Sequence, residues 1–575
     1  MIKLFRFLKP FAWPVAAVLV LLLFQTLADL YLPTLLADIV DTGIVNGDTQ
    51  YILSIGGQML LFAAGSALCM ITASYLSAKI ATGFGKDLRS RVFSRVESYS
   101  LNEFDQVGTA SLITRTTNDI TQIQQVLIVM LRMMISAPIM CIGGIIMAVS
   151  KDAVLSLVFV VVLPVLAGAI LIIFRKGVPL FQAMQVNLDQ LNRVLREGLT
   201  GIRVVRAFNR LDYERERFLE ANSDLTSTAI KVNKLMAALM PVMMLVMNIS
   251  TIAIVWYGGI RVDRGDMQVG DMMAFIQYAM QIMFSLIMIS FMFIMIPRAE
   301  ASAVRINEVL DIVPEIKDAE TVKQADSKRG YVEFKNVTFS YPGAEQPAIS
   351  DISFLAGPSE VTAIIGGTGS GKSTLINLIP RFYDIDKGSI LVDGVDVREL
   401  SQESLRAKIG FVPQKAVLFT GTIADNIRYG KEVATDEEVR HAAEIAQATE
   451  FITGMKDGFD SVIAQGGANI SGGQKQRLSI ARALVRRPEI YVFDDTLSAL
   501  DFKTDARLRA ALRKETAGAT VLIVAQRVST VMDADRIIVM EEGKIAGTGS
   551  HRELMNTCEV YREIVYSQLS GEESA

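Results

Sequence analysis

The stretch SEVTAIIGGTGSGKSTLINLI, residues 359–379, decides the fold of half this chain. It begins with a short apolar run, passes through a glycine-rich centre and returns to apolar residues, and so reads as strand, loop and helix. Gly366 to Ser373 fits the pattern G-x-x-x-x-G-K-[ST] in the setting that pattern requires. Gly366, Gly367, Thr368, Gly369, Ser370 and Gly371 let backbone N–H groups curl around phosphate oxygens. The helix that follows, entered through Ser373 and Thr374, adds positive potential at its N-terminus. Lys372 is placed to reach the outer phosphates of a nucleotide, and the Ser373 hydroxyl to ligate magnesium.

Upstream, YVEFKNVTFSY (331–341) alternates as a half-buried strand. Downstream, EIYVFDD (489–495) is an apolar run that ends in two adjacent carboxylates. Adjacent acids after a buried strand are costly unless they face a cation. Asp494 is therefore expected to hold magnesium, directly or through water. Successive strand residues point opposite ways, which sends Asp495 to a position where a carboxylate polarises an attacking water. Taken alone, the pair could also be an exposed strand end.

Other segments exclude that simpler reading. ISGGQKQRLSIARALVRRP (470–488) precedes the acidic strand and resembles the signature of ATP-binding cassette proteins. The marks of that family follow one another in order, with Tyr341 where it places the aromatic that stacks on adenine and Gln414, in GFVPQ, where it places the glutamine-loop residue that also reaches the metal. SALD (498–501), ending in Asp501, matches its D-loop. The resemblance implies ATP and magnesium as ligands. It also implies two cassettes meeting head to tail, so that Ser471, Gly472, Gly473 and Gln474 complete the nucleotide site of a facing subunit.

The other half of the chain is apolar. A bilayer-spanning helix needs about 20 mostly apolar residues. Six such runs lie near 12–36, 53–78, 128–149, 153–174, 235–259 and 273–297. The loop 37–51 carries no Lys or Arg, whereas 81–126 carries Lys86, Arg89, Arg91, Arg95 and Arg115, which places the first loop outside and the second inside. Long charged segments between spans two and three and between four and five keep a helical apolar spacing, and would project as cytoplasmic rods. By the same resemblance these carry coupling helices near Glu103–Ser111 and Phe208–Glu216. The expected architecture is an all-α membrane domain of six helices, like that of type I exporters, fused to a cytoplasmic α/β P-loop ATPase domain. The expected boundaries are 1–311, a charged linker at 312–330, and 331–575. Both termini then lie in the cytoplasm, with the chain in the cell membrane.

Composition excludes several classes. The hydrophobic fraction is 51% and the net charge −4, with no long basic stripe of the kind that binds nucleic acid. Cys69, Cys141 and Cys558 have neither disulfide nor zinc-site spacing. Nothing marks a removable signal peptide, and no peptidase-like segment precedes span one. Two features mark the spans themselves. Asp29, with Gln25 one turn earlier, interrupts span one and is either a functional intramembrane carboxylate or a hydrated interfacial one. Half of the 26 methionines fall between 235 and 300, suiting a surface that repacks around varied apolar cargo or simply filling the core.

The chain departs from the family pattern at one corner. Asp495 stands where the family has glutamate, Gln526 in VLIVAQR where it has a histidine, and Gln465 where many exporters have glutamate, while the signature changes only by Ile470 for leucine. Carboxylate reach and an ionisable imidazole are both lost, and both matter for orienting water and a γ-phosphate. The expectation is a chain whose own ATP site is impaired and whose signature serves a different partner carrying the glutamate and histidine, as in heterodimeric bacterial multidrug exporters. Its cargo would be amphipathic or apolar compounds. A homodimer with two slow sites, a lipid or lipopeptide flippase, and a nucleotide-gated channel or sensor are the alternatives.

Overall fold

The computed structural model describes residues 1–319, 323, 329–498 and 500–568. Residues 320–322 and 324–328 of the expected linker, Ala499 of the SALD turn and residues 569–575 lie outside the described residues. The chain divides into two compact units, Met1–Glu97 with Ala110–Ile312, and Ser98–Thr109 with the described part of Val313–Ala575.

The first unit is built of six long helices, each with a window apolar enough to cross a membrane. Span one is Ala12–Asp38, span two Thr49–Glu97, span three Ile120–Lys151, span four Leu157–Thr200, span five Leu211–Asp263 and span six Val269–Asp311. All six apolar runs of the sequence lie within them, except that span four begins later than 153. There Asp152 folds a turn, its Oδ1 accepting from Leu155 N at 2.8 Å and its carbonyl accepting from Ser156 Oγ at 2.7 Å, and the helix starts only afterwards. Most helices continue far beyond about 30 Å of hydrocarbon, since 49 residues at about 1.5 Å each make span two roughly twice that length.

Spans one, three and six pack around Leu30, Ala148, Phe275, Tyr278 and Ile282, all buried. Gly143 and Gly144 let span three approach: a Cβ on Gly143 would lie 2.4 Å from Leu30 Cδ1, and one on Gly144 would lie 2.8 Å from Ile282 Cγ1. Outward-facing Leu60, Leu61 and Trp256 stay about 70% exposed, as lipid-facing side chains do without a bilayer. The expected coupling segment at 208–216 takes a different form. A six-residue helix, Ile202–Ala207, precedes it, Phe208 to Arg210 form a break, and span five is already helical from Leu211. Asn209, with φ 51, makes the break, because a left-handed residue cannot continue a helix.

The second unit holds the mixed α/β core. Its strands in chain order are β1 (Val332–Phe339), β2 (Ile349–Ala356), β3 (Val361–Gly366), β4 (Lys387–Val392), β5 (Val395–Asp396), β6 (Ile409–Val412), β7 (Gly421–Thr422), β8 (Val462–Ile463), β9 (Ile490–Asp494), β10 (Thr520–Val524), β11 (Arg536–Glu541) and β12 (Lys544–Gly549). The main sheet runs β12-β11-β3-β10-β9-β6, parallel from β11 to β6, and β2-β1-β4-β5 form an antiparallel sheet beside it. Strands β3, β9 and β10 are apolar without alternation because helices and the second sheet cover both faces. Their C-terminal ends deliver the loop after Gly366, the Asp494–Asp495 pair and the Gln526 segment to one edge, as parallel α/β sheets do with their ligand sites. The short helix Leu101–Val107 groups with this unit although it follows span two in the chain.

Candidate active site

The phosphate loop leaves β3 at Gly366 and enters the helix Lys372–Leu378 through Gly371. Both glycines are required. Gly371 has φ 93, and a Cβ on Gly366 would lie 2.1 Å from the Met540 carbonyl oxygen. Lys372 Nζ donates to the carbonyls of Gly366 (2.9 Å) and Gly367 (2.7 Å), which anchors the ammonium at the mouth of the loop. Burial holds this ammonium below the usual lysine range, with Asp495 and Asp494 opposing the shift. Ser373 Oγ donates to Asp494 Oδ1 at 3.0 Å. A hydroxyl and a buried carboxylate, converged from β3 and β9, are a hard-oxygen pair that fits a magnesium ion.

Asp494 and Asp495 are 6% and 8% exposed, and burial pushes both carboxyls up from the ordinary range. They are not equivalent. Asp494 closes the strand, whereas Asp495 turns into the left-handed region at φ 45. Its Oδ2 accepts from Gln526 Nε2 at 2.9 Å and from Gln414 Nε2 at 3.3 Å. Three side chains that the sequence marks separately thus meet at one oxygen. The Gln526 carbonyl in turn accepts from Gln568 Nε2, and Gln568 Oε1 accepts from Val528 N, so the C-terminal helix Glu559–Gln568 pins the segment that carries Gln526. Gln568 belongs to no motif, and only the fold shows its place.

The signature lies at the start of the 13-residue helix Gly472–Leu484. Ser471 is its N-cap: Gln474 N donates to Ser471 Oγ at 3.3 Å, and Ser471 N donates to Gln474 Oε1 at 2.8 Å. Gly472 has no heavy atom within 4 Å of where a Cβ would stand, so this helix end is open. Asp501 caps the helix Phe502–Glu515, accepting from Thr504 N at 3.0 Å, and that bond lowers its carboxyl. Within the described residues nothing of the same chain joins the signature to the phosphate loop. Gln465 sits in a short 3-10 turn, Gln465–Gly467, just before the signature.

Tyr341 stands edge-on to Phe339 and Tyr383, with centroids at 5.0 and 5.4 Å, and its hydroxyl lies 3.0 Å from Thr374 Oγ1. Beside it a cavity of about 350 Å3 is lined by Ser100, Asn102, Glu315, Tyr341 and Tyr383 among others. Buried Glu103, in the helix Leu101–Val107, ties this wall together: Oε2 accepts from Ser100 N at 2.6 Å and Oε1 accepts from Glu315 N at 2.9 Å. Although burial opposes it, the bonds from Ser100 and Glu315 leave its carboxyl below the usual range. Tyr383 donates to Asp105 Oδ2 at 3.4 Å, and burial raises its phenol to about 12. Neither Tyr383 nor Glu315 carries a sequence signal.

Comparison with known proteins shows likeness across both units of the chain. Residues 15–286 match the model of the ABC transporter transmembrane region, and residues 349–498 match the ABC transporter model. An uncharacterized ABC transporter ATP-binding protein of Mycobacterium tuberculosis is 45% identical over 98% of this chain and 97% of its own length. A fatty acid ABC transporter ATP-binding/permease protein of Mycobacterium bovis is 35% identical over 83% of this chain and 75% of its own. A solved bacterial Atm1-family ABC exporter with ATP bound superposes with a TM-score of 0.80 at 26% identity, covering 97% of this chain and 98% of that one.

Proposed function

Since the chain belongs to the ABC transporters, as an exporter half-transporter with its membrane and ATPase halves in one polypeptide, we propose that it is the impaired-site subunit of a heterodimeric pump. Its own phosphate loop binds ATP with magnesium and turns it over poorly, while its signature completes the working site of a nonidentical partner. The observation that carries this reading is the Asp495 carboxylate, one methylene short and capped on Oδ2 by the amides of Gln526 and Gln414.

A general base must offer a free lone pair to the water it activates. Two amide donors occupy that oxygen and compete with a water for it, and a carboxylate withdrawn by about 1 Å loses on the order of 100-fold in rate. Glutamine at 526 can donate to a γ-phosphate but cannot carry imidazole's charge. Binding, by contrast, retains every group it needs. Tyr341 would face adenine, Gly366 through Thr374 the phosphates, and Ser373, Asp494 and Gln414 the metal, whose positive charge would neutralise developing charge on the phosphates. In the same proposal Ser471, Gly472, Gly473 and Gln474 approach the partner's nucleotide, and Asp501 lies in the turn between the two sites.

The membrane half, proposed as residues 1–311 before a linker at 312–330 and an ATPase domain at 331–575, would sit in the cell membrane with both termini in the cytoplasm. Closure of the paired ATPase domains, favoured by ATP, would move the spans. The proposed cargo is amphipathic or apolar, on the strength of the methionines crowded into spans five and six. A lipid cargo is the second reading, supported by the named activity of the fatty acid relative.

The test is ATP turnover by the purified chain alone and with its partner. The expected result is tight ATP binding with little turnover alone, and brisk turnover by the pair. Brisk turnover by the chain alone, abolished by Asp495→Asn, overturns the proposal.

A further inference from the structure

Asp29 lies nearly two thirds of the way along the 42-residue helical run Lys3–Ile44, which contains span one. Its carboxylate meets hydroxyl and amide donors only. Ser66 Oγ, buried on span two, donates to Asp29 Oδ1 at 2.6 Å, and Gln25 Nε2 reaches Oδ2 at 3.4 Å. Among the described residues the carboxylate forms no ion pair. The side chain of Gln281, on span six, docks on the same residue, its Nε2 donating to the Asp29 carbonyl at 3.2 Å. That leaves Gln281 Oε1 buried with no hydrogen-bond partner.

Three helices therefore bring acceptors together in excess of donors, with one weakly bonded carboxylate oxygen and one orphan amide oxygen. A carboxylate at membrane depth is costly unless a positive partner faces it, and a buried acceptor left unmade costs free energy of its own. Structural packing alone would not retain both. Asp29 is half-buried and not sealed off. Farther along spans one and two, Tyr31 and Phe62 meet edge to face with centroids 5.2 Å apart, so an aromatic surface borders the same helix pair. A weakly bonded carboxylate and an orphan amide oxygen on facing helices are the setting that receives a cationic group.

We propose that Asp29 and Gln281 form a subsite for the positively charged group of an amphipathic cargo. The subsite rests on the export reading above and narrows it to lipophilic cations, the apolar body of the cargo lying against the spans while its charge is read at Asp29. A carboxylate held only by Ser66 and Gln25, with no part in binding cargo, is the competing reading, and it is an outcome of the test.

The groups involved belong to one chain, so the full-length chain in lipid nanodiscs tests the idea. The probes are tetraphenylphosphonium and tetraphenylborate, ions of one shape and opposite charge, each corrected for binding to empty nanodiscs. Asp29→Asn is expected to weaken tetraphenylphosphonium binding about tenfold or more, and not to weaken tetraphenylborate, because one Coulombic partner is removed at low dielectric. Should that variant fail to fold, Gln281→Lys supplies a tethered ammonium and is expected to abolish the preference for the cation. If the wild type binds both ions and neither substitution changes their ratio, the subsite is refuted while the export reading stands. If the wild type binds neither ion, the subsite is refuted, and the export reading is still decided by ATP turnover of the paired chains.

Discussion

The phosphate-loop corner and the signature end of the ATPase unit are built from equally polar residues, yet they are satisfied differently. At the phosphate loop the side chains bond one another: Lys372 to loop carbonyls, Ser373 to Asp494, and Gln526 and Gln414 to Asp495. At the signature, Ser471 and Gln474 satisfy only the helix start, and the end stays open to an outside group. The contrast teaches that one corner is satisfied by bonds within the chain, whereas the other leaves a capped helix start that, in the function proposed here, a second ATPase domain would complete. A helix N-terminus left open in this way favours an anion.

The comparison breaks most sharply at the signature. Ser471→Ala, which leaves the chain's own loop untouched, is expected to cut turnover of the paired pump by about 100-fold through loss of an oriented donor in the transition state. In the same assay Asp495→Asn is expected to change turnover less than threefold. Equal losses would show that the two corners contribute alike. The next effect is on binding. Lys372→Ala should weaken ATP binding by the isolated chain by about 30-fold, read by titration with a fluorescent nucleotide, since a charge-assisted hydrogen bond of about 2 kcal/mol is lost.

Restoring the corner sharpens the same contrast. Asp495→Glu with Gln526→His is expected to raise turnover of the chain's own site about tenfold, through recovered reach and an ionisable ring. Asp495→Glu alone should achieve less, because Gln526 and Gln414 would still occupy the oxygen.

A smaller effect follows from burial of the acidic pair. Burial raises the carboxyl of Asp494 in the folded state. Below the unfolded-state value the group is protonated in both states and costs nothing; as pH rises through the folded value, ionisation in the buried site subtracts stability. Nucleotide-free Asp494→Asn should therefore melt about 2 °C higher than wild type at neutral pH, and this difference should vanish toward about pH 4. Smallest is Glu103→Gln. It keeps one acceptor for Glu315 N and should cost about 1 kcal/mol, seen as a slight fall in melting temperature.

Much of this was legible in the sequence because each element is specified locally. Glycines at 366 and 371 serve a tight turn whatever surrounds them, and six apolar runs must be helices in a bilayer. The coupling helix expected near 208–216 came from the family resemblance, and the left-handed break at Asn209 that divides this region leaves no mark on periodicity. The start of span four was misplaced for a similar reason, since the turn made by Asp152 depends on bonds to Leu155 and Ser156.

By itself the sequence determined the fold class, the six membrane helices and the ATP-binding machinery, because hydrophobic length, strand periodicity and loop chemistry act over a few neighbouring residues. Only the tertiary structure decided that Gln414, Asp495 and Gln526 converge on one oxygen, that Gln568 pins the last of them, and that Asp29 meets Ser66 and Gln281 without a positive partner. Those facts depend on residues 31 to 252 positions apart being brought within hydrogen-bond reach, and no local rule of chain chemistry specifies such a meeting.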